Sequence, residues 1–302
     1  MKKTLIVVLG PTGVGKTKTS IKIAQHLGTP IINADSRQIF GEMPIGTAAP
    51  DAKEQQEVKH YFVGNHNLSD YYSASLFEQD ALSLINELHK QHDAVLLSGG
   101  SMMYIDAVCN GIDDIPTVDE ITRQTIKKRL SEEGLPALVK ELETLDPVHY
   151  QEVDKKNPRR VVHALEICHM TGMPYSSFRT NTKKERPFRI LKIGLNRPRE
   201  ELYERINRRV DKMIESGLVE EARNLYSQRH LNALNTVGYK ELFNYFDGIW
   251  TLDEAIERIK GNTRRYMRKQ LTWFKRDAEI NWFYADDTNA IISFIDQNTQ
   301  TL

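Results

Sequence analysis

Leu5-Ile6-Val7-Val8-Leu9-Gly10-Pro11-Thr12-Gly13-Val14-Gly15-Lys16-Thr17 is the stretch on which the reading of this chain turns. Its first five residues, leucine and β-branched without interruption, predict a strand buried on both faces. They run into the pattern G-x-x-x-x-G-K-[ST], and a helical pattern follows from Lys16 to about Leu27, with Ile21, Ala24 and Leu27 on one face. Strand, glycine-rich turn and helix in that order make an anion cradle. The glycines let the backbone curl so that several N–H groups point at one anion. The start of the helix adds partial positive charge. Lys16 adds a full charge, and the Thr17 hydroxyl is of the type that binds Mg²⁺. Gly10, Pro11, Thr12, Gly13, Val14, Gly15, Lys16 and Thr17 are therefore the expected phosphate-binding residues.

Working outward, Pro30 to Ala34 reads as a second short strand that ends in Asp35-Ser36. A polar loop and a helix bearing Leu76, Leu84, Ile85 and Leu88 follow. Ala94 to Leu97 is the next strand and ends in Ser98-Gly99-Gly100-Ser101. Alternating strands and helices predict a parallel sheet with right-handed crossovers. From Thr117 to about Arg179 only helical periodicity is present, broken at Gly134-Leu135-Pro136, Asp146-Pro147 and Asn157-Pro158. Strand character returns in Phe188 to Leu195, then helices at about 199–216, 218–229 and 252–276, a strand Ile280 to Tyr284 and a short C-terminal helix. The fold class expected is α/β: a P-loop NTPase-like parallel sheet core (1–112 and 187–302) with a mainly helical insertion domain (113–186).

A phosphate loop does not say which phosphate it holds. NTPases place a metal-holding acid at the end of a neighbouring strand, usually after four apolar residues. Here Ala94-Val95-Leu96-Leu97 runs into Ser98 instead, and the one carboxylate well placed above the sheet is Asp35. On the residues alone, Asp35 is a general base, a metal ligand or a helix N-cap. Arg209 is an anion clamp or the partner of a surface carboxylate. Ser101 is a helix N-cap, a substrate contact, or both.

Composition narrows the setting. The chain has 302 residues, 40% hydrophobic and 27% charged, and its 41 Lys and Arg balance 41 Asp and Glu. A nucleic-acid partner is thus argued only from local clusters. One runs from Arg258 to Arg276 (Arg258, Lys260, Arg264, Arg265, Arg268, Lys269, Lys275, Arg276), with no acid from Ile259 onward and with Tyr266, Trp273 and Phe274 interleaved. Lys155-Lys156 with Arg159-Arg160 is a second, and Lys183-Lys184 with Arg186 and Arg189 a third. Trp273 and Phe274 read as core or channel wall rather than as stacking platforms. Two cysteines, Cys109 and Cys168, fit a reducing compartment. The Met1-Lys2-Lys3-Thr4 start has too short an apolar run behind it for a signal peptide. No segment approaches the roughly 20 apolar residues of a membrane span, so a cytoplasmic protein without membrane attachment is expected.

Seven segments, in order along nearly the whole chain, resemble the tRNA dimethylallyltransferase family, also called tRNA isopentenyltransferases. They are Gly10 to Thr17, Asn33 to Gln38, Ser98 to Ser101, Asn157 to Glu166, Leu202 to Val210, Val237 to Glu241 and Arg264 to Phe274. Ser101 stands where the family more often has threonine. His163 stands where a second basic residue, commonly arginine, is usual, and a neutral imidazole holds phosphate less firmly than a guanidinium. The resemblance implies transfer of a dimethylallyl group from dimethylallyl diphosphate to N6 of adenosine 37, next to the tRNA anticodon. It implies that the loop and Mg²⁺ on Thr17 hold the diphosphate, that Lys16 and Arg209 contact it, that Asp35 is the base and that Ser101 orients N6. It further implies tRNA contacts by Asp35, Ser36, Arg37, Gln38, Ser101, Arg123, Arg159, Arg160, Val161, Val162 and His163. The expected partners are the anticodon stem-loop and the prenyl donor, with no obligate protein partner and a monomeric enzyme. Rival readings are an adenylate isopentenyltransferase, which would lack the full helical insertion, a small-molecule kinase or NTPase, and a non-enzymatic RNA-binding module.

Overall fold

The computed structural model describes residues 3–180 and 182–299. The chain divides into two compact units, Met1–Asn110 with Glu185–Leu302, and Gly111–Lys184. The first begins β1 (Thr4–Leu9), α1 (Lys16–Leu27), β2 (Ile31–Ala34), α2 (Pro44–Thr47), α3 (Ala52–Glu57), β3 (His60–Tyr61), α4 (Ala74–Leu88), β4 (Ala94–Gly99) and α5 (Met102–Asn110). The second holds α6 (Glu120–Glu133), α7 (Leu135–Leu145), α8 (Pro147–Glu152) and α9 (Pro158–Thr171). The first then resumes with β5 (Arg189–Asn196), α10 (Arg199–Glu215), α11 (Leu218–Leu225), α12 (Tyr239–Phe246), α13 (Leu252–Phe274), β6 (Asn281–Tyr284) and α14 (Thr288–Thr299).

Among the described residues the strands form one six-stranded sheet, ordered β3-β2-β4-β1-β5-β6, with every pairing parallel. β1 lies between β4 and β5, and all of it is buried. Side chains alternate across a strand, so Leu5, Val7 and Leu9 pack with α4 and α5 on one face. Ile6 and Val8 pack with α1, α10 and α14 on the other. Two covered faces are the physical reason the apolar run has no polar interruption.

The register decides where the site can be. Leu9 and Ala34 both pair with Gly99, so β1, β2 and β4 end together. Three loops are thereby brought side by side: residues 10–15, the turn from Asp35, and Gly100-Ser101. A Cβ on Gly99 would lie 2.1 Å from the Ala34 carbonyl oxygen, so this junction closes only around glycine.

Three features differ from the sequence expectation. The polar loop before residue 74 contains α2, α3 and the edge strand β3, elements too short for a periodic signal. The helix expected over 218–229 ends as an α-helix at Leu225 and tightens into a 3₁₀ turn, Tyr226–Gln228. A further helix, α12, stands in the stretch left without one, its Glu241 side chain accepting the Gly238 N–H at 2.8 Å.

The helical unit packs around Ile126, Leu138, Leu142, Val161, Ala164 and Leu165. Its breaks are caps. Asn157 accepts the Arg160 N–H, and Pro158 occupies the first turn of α9. Asp146, fully buried, accepts the His149 N–H and both the N–H and hydroxyl of Ser176 at 2.7–2.9 Å. Burial raises its pKa, yet these bonds hold it below the ordinary carboxylate value.

Candidate active site

The loop after β1 is held by cations that take its carbonyls away from the anion side. The Lys16 ammonium donates to Gly10 O and Pro11 O, both at 3.0 Å. Arg205 Nε donates to Gly13 O at 2.8 Å, and Arg197 Nε to Val14 O at 2.7 Å. Arg197 is itself buried and bonded to Glu201 and Asp286. Lys16 and Thr17 begin α1, and the N–H groups of a first helical turn have no acceptor within the helix. The carbonyls of Gly10, Pro11, Gly13 and Val14 are thus engaged by cations, and the N–H groups that open α1 are left as the helix's unpaired donors. Gly15, at φ 108°, makes the left-handed step into the helix. Burial lowers the Lys16 pKa to about 8; Asp35 works against that fall and Arg209 with it.

Arg209, on α10, donates to the Thr12 hydroxyl at 3.4 Å and to Thr47 O at 3.2 Å. No described carboxylate lies within ion-pair distance of it, so the surface-pair reading is set aside. Its charge is felt at Lys16 and opposed by Asp35. Burial lowers its pKa, with Asp35 acting to raise it.

Asp35 follows β2 directly. Its Oδ1 accepts the N–H groups of Arg37 (2.9 Å) and Gln38 (3.4 Å), closing a turn over residues 36–39; no helix starts there, so Asp35 is not a helix N-cap. No described hydrogen bond engages Oδ2. Ser101 does not cap α5 through its side chain. Its hydroxyl accepts the Ser36 N–H at 2.8 Å and donates to the Ser36 hydroxyl at 3.1 Å, while its own N–H reaches Ala34 O. Ser101 therefore fastens the Asp35 turn to the end of β4. Gln38 donates to Thr47 O and Ala48 O, and Arg37 to Ser36 O.

The structure brings Lys16, Thr17, Asp35, Ser101 and Arg209 to one end of the sheet. It adds residues that the sequence did not single out. Gln270 on α13 is 2% exposed. It accepts the Thr12 N–H at 2.9 Å and donates to Gly100 O at 2.8 Å, joining the phosphate loop to the Ser101 corner. Arg205 carries one readable signal: four residues before Arg209, it shares that helix face. At the end of β4, the Ser98 hydroxyl bonds Ser20 on α1 at 2.7 Å. Among the described residues no group of three or more His, Cys, Asp or Glu could hold a metal.

In the helical unit Arg159, Arg160 and His163 are exposed on α9. Val161 is fully buried in the unit's core, and Val162, partly buried, packs against it. His163 lies 3.5 Å from Glu166 and edge-on to Tyr175. Arg123 sits half-buried on α6. The basic clusters thin out as well. Arg186 is buried against Glu78 and the carbonyls of Ala107 and Val108, and Arg189 bonds Asn298. Lys260 pairs with Asp211 and Glu257. Phe274 is core, and Trp273 packs beside it and donates to Asp106.

Residues 38–277 match the model of the IPP transferase family. The chain belongs to this family, the tRNA dimethylallyltransferases. It is 61% identical to tRNA dimethylallyltransferase 2 of Parabacteroides distasonis over 97% of this chain and 98% of that one. The crystal structure of the full-length tRNA isopentenylpyrophosphate transferase of Bacillus halodurans superposes with a TM-score of 0.72 at 36% identity, over 99% of this chain and 97% of that one. A eukaryotic dimethylallyltransferase acting on tRNA gives 0.84 at 25% identity, over 99% and 80%. These are prenyl-transferring enzymes, and the P-loop-like α/β fold is theirs. Among the described residues no helix is long and apolar enough to cross a membrane.

Proposed function

We propose that this chain transfers the dimethylallyl group of dimethylallyl diphosphate to N6 of adenosine 37 of tRNA and releases diphosphate. The C1–O bond to the diphosphate breaks, the N6–C1 bond forms, and one N6 proton goes to Asp35. Negative charge grows on the leaving oxygen, so donors aimed there favour the transition state over the ground state. Lys16, the N–H groups opening α1 and Arg209 supply those donors. N6 attacks poorly while its lone pair is drawn into the purine ring, and a carboxylate accepting its proton relieves this. Ser36 already engages the Ser101 hydroxyl; we assign Ser101 to holding the Asp35 turn and orienting N6. Mg²⁺ would enter with the diphosphate, whose charge it neutralises. The Thr17 hydroxyl would be its protein ligand, in keeping with an ion that retains water and takes few side chains. Arg159, Arg160 and His163 are assigned to the anticodon stem-loop, together with Arg123.

The observation that carries this reading is a single one. An anion cradle with a buried cationic lining sits within electrostatic reach of a carboxylate that has an oxygen free of described partners. Labelled dimethylallyl diphosphate incubated with either tRNA or AMP tests it. Label is expected in tRNA. Asp35→Ala is expected to slow single-turnover transfer by about 10²–10⁴ while leaving donor binding nearly intact. Label in AMP alone, or ATP hydrolysis without transfer, sinks the proposal.

A further inference from the structure

The Thr47 carbonyl that receives Arg209 closes α2, a single turn of four residues. So short a helix has no stability of its own. Glu221, on α11, supplies it. Its Oε2 accepts the Ile45 N–H and its Oε1 the Gly46 N–H, both at 2.8 Å. The Tyr239 hydroxyl donates to the same Oε1 at 2.5 Å. Tyr239 is fully buried in the core of α11, α12 and α13, so the carboxylate is gripped from a rigid side. The packing admits no side chain at residue 46, where a Cβ would lie 2.4 Å from the Tyr239 hydroxyl oxygen. At the other end of the turn, Thr47 O accepts from Arg209 and Gln38, and Ala48 O from Gln38. Ala48, at φ 47°, turns the chain out of the helix there.

We propose that Glu221, gripped by Tyr239, is a positioning residue for the prenyl donor: it pins the Pro44–Thr47 turn, whose Thr47 carbonyl aims Arg209 at the diphosphate. Both Glu221 oxygens are occupied by protein donors, so it acts through Arg209 rather than on substrate. The inference rests on the reading that Arg209 contacts the diphosphate. In Glu221→Gln an amide N–H replaces one acceptor and faces a backbone N–H, which frees one end of the turn.

The test uses the full-length chain and inorganic diphosphate with Mg²⁺, whose dissociation constant is measurable whether or not a variant turns over. Glu221→Gln is expected to weaken diphosphate binding about tenfold and Tyr239→Phe about threefold, with tRNA affinity changed less than about twofold. In an Arg209→Ala background the same substitutions should add less than about twofold, because nothing remains to be aimed. Equal fold-losses in both backgrounds, a tRNA loss as large as the diphosphate loss, or no loss in either single variant overturns the proposal. Should Glu221→Gln fail to fold, Tyr239→Phe carries the same comparison. Diphosphate affinity untouched by Arg209→Ala alone overturns the underlying reading, and the proposal with it.

Discussion

β1 and β4 run side by side and end in register, Val8 opposite Ser98 and Leu9 opposite Gly99, yet they finish in different chemistry. β1 opens into a cradle whose carbonyls are tied to Lys16, Arg205 and Arg197. β4 carries Ser98, one residue before its end and turned back onto α1, where an NTPase has its metal-holding acid. The carboxylate of this site comes instead from β2, as Asp35. The contrast teaches that the anion cradle and the hydrolytic metal site of such sheets are separable. Here the cradle is kept, and the carboxylate stands one strand over, directly after β2.

The sharpest break in that comparison is Lys16→Met. Losing the cradle's full charge should slow single-turnover transfer by about 10²–10³, and a smaller change would shift the work to the N–H donors and Arg209. Next comes Gln270→Leu, which leaves the Thr12 N–H and Gly100 C=O unpaired in a buried junction. Denaturant unfolding should show a loss of about 2–6 kcal/mol, from roughly 1–3 kcal/mol for each of the two orphans; an unchanged midpoint would mean that the two strand ends are held otherwise.

The pH dependence is the third lever. In the free protein the Lys16 value of about 8 lies below its ordinary 10.5, because burial disfavours the charge. Between about 8 and 10.5 an unfolded chain keeps a proton that the folded one has lost, so this group makes the donor-free protein more stable as pH rises through that window. Donor binding needs the charge and should run the other way, level below about pH 8 and weakening by up to about tenfold per unit above it. Parallel slopes for stability and affinity would contradict the assignment of Lys16. The mildest substitution is Ser98→Ala. It removes one hydroxyl bond, about 1 kcal/mol of stability, and should leave turnover within about twofold. A large loss of turnover would put the end of β4 back into the chemistry.

Much of this could be read from the chain. The phosphate loop, the succession of the main strands along the chain and the breaks between the helices of the insertion each rest on neighbours in sequence. Lys16 reaches carbonyls only five and six residues back. α2 and β3 were hidden because four and two residues cannot express a period. The burial of Val161 was hidden for another reason. A resemblance transfers a whole segment, whereas a helix divides it by face, sending Arg160 outward and Val161 in.

From the sequence alone came the cradle, the carboxylate at the end of β2 and the family, because glycine placement, charge and helix initiation are local properties. The tertiary structure alone decided that Gln270 would join Thr12 to Gly100, that Ser101 would hold Ser36, and that Glu221 and Tyr239 would brace the turn that receives Arg209. Hydrophobic patterning says that a position faces inward. It does not say which distant backbone group will be waiting there, since that is set by strand order and by helices packing from opposite ends of the chain.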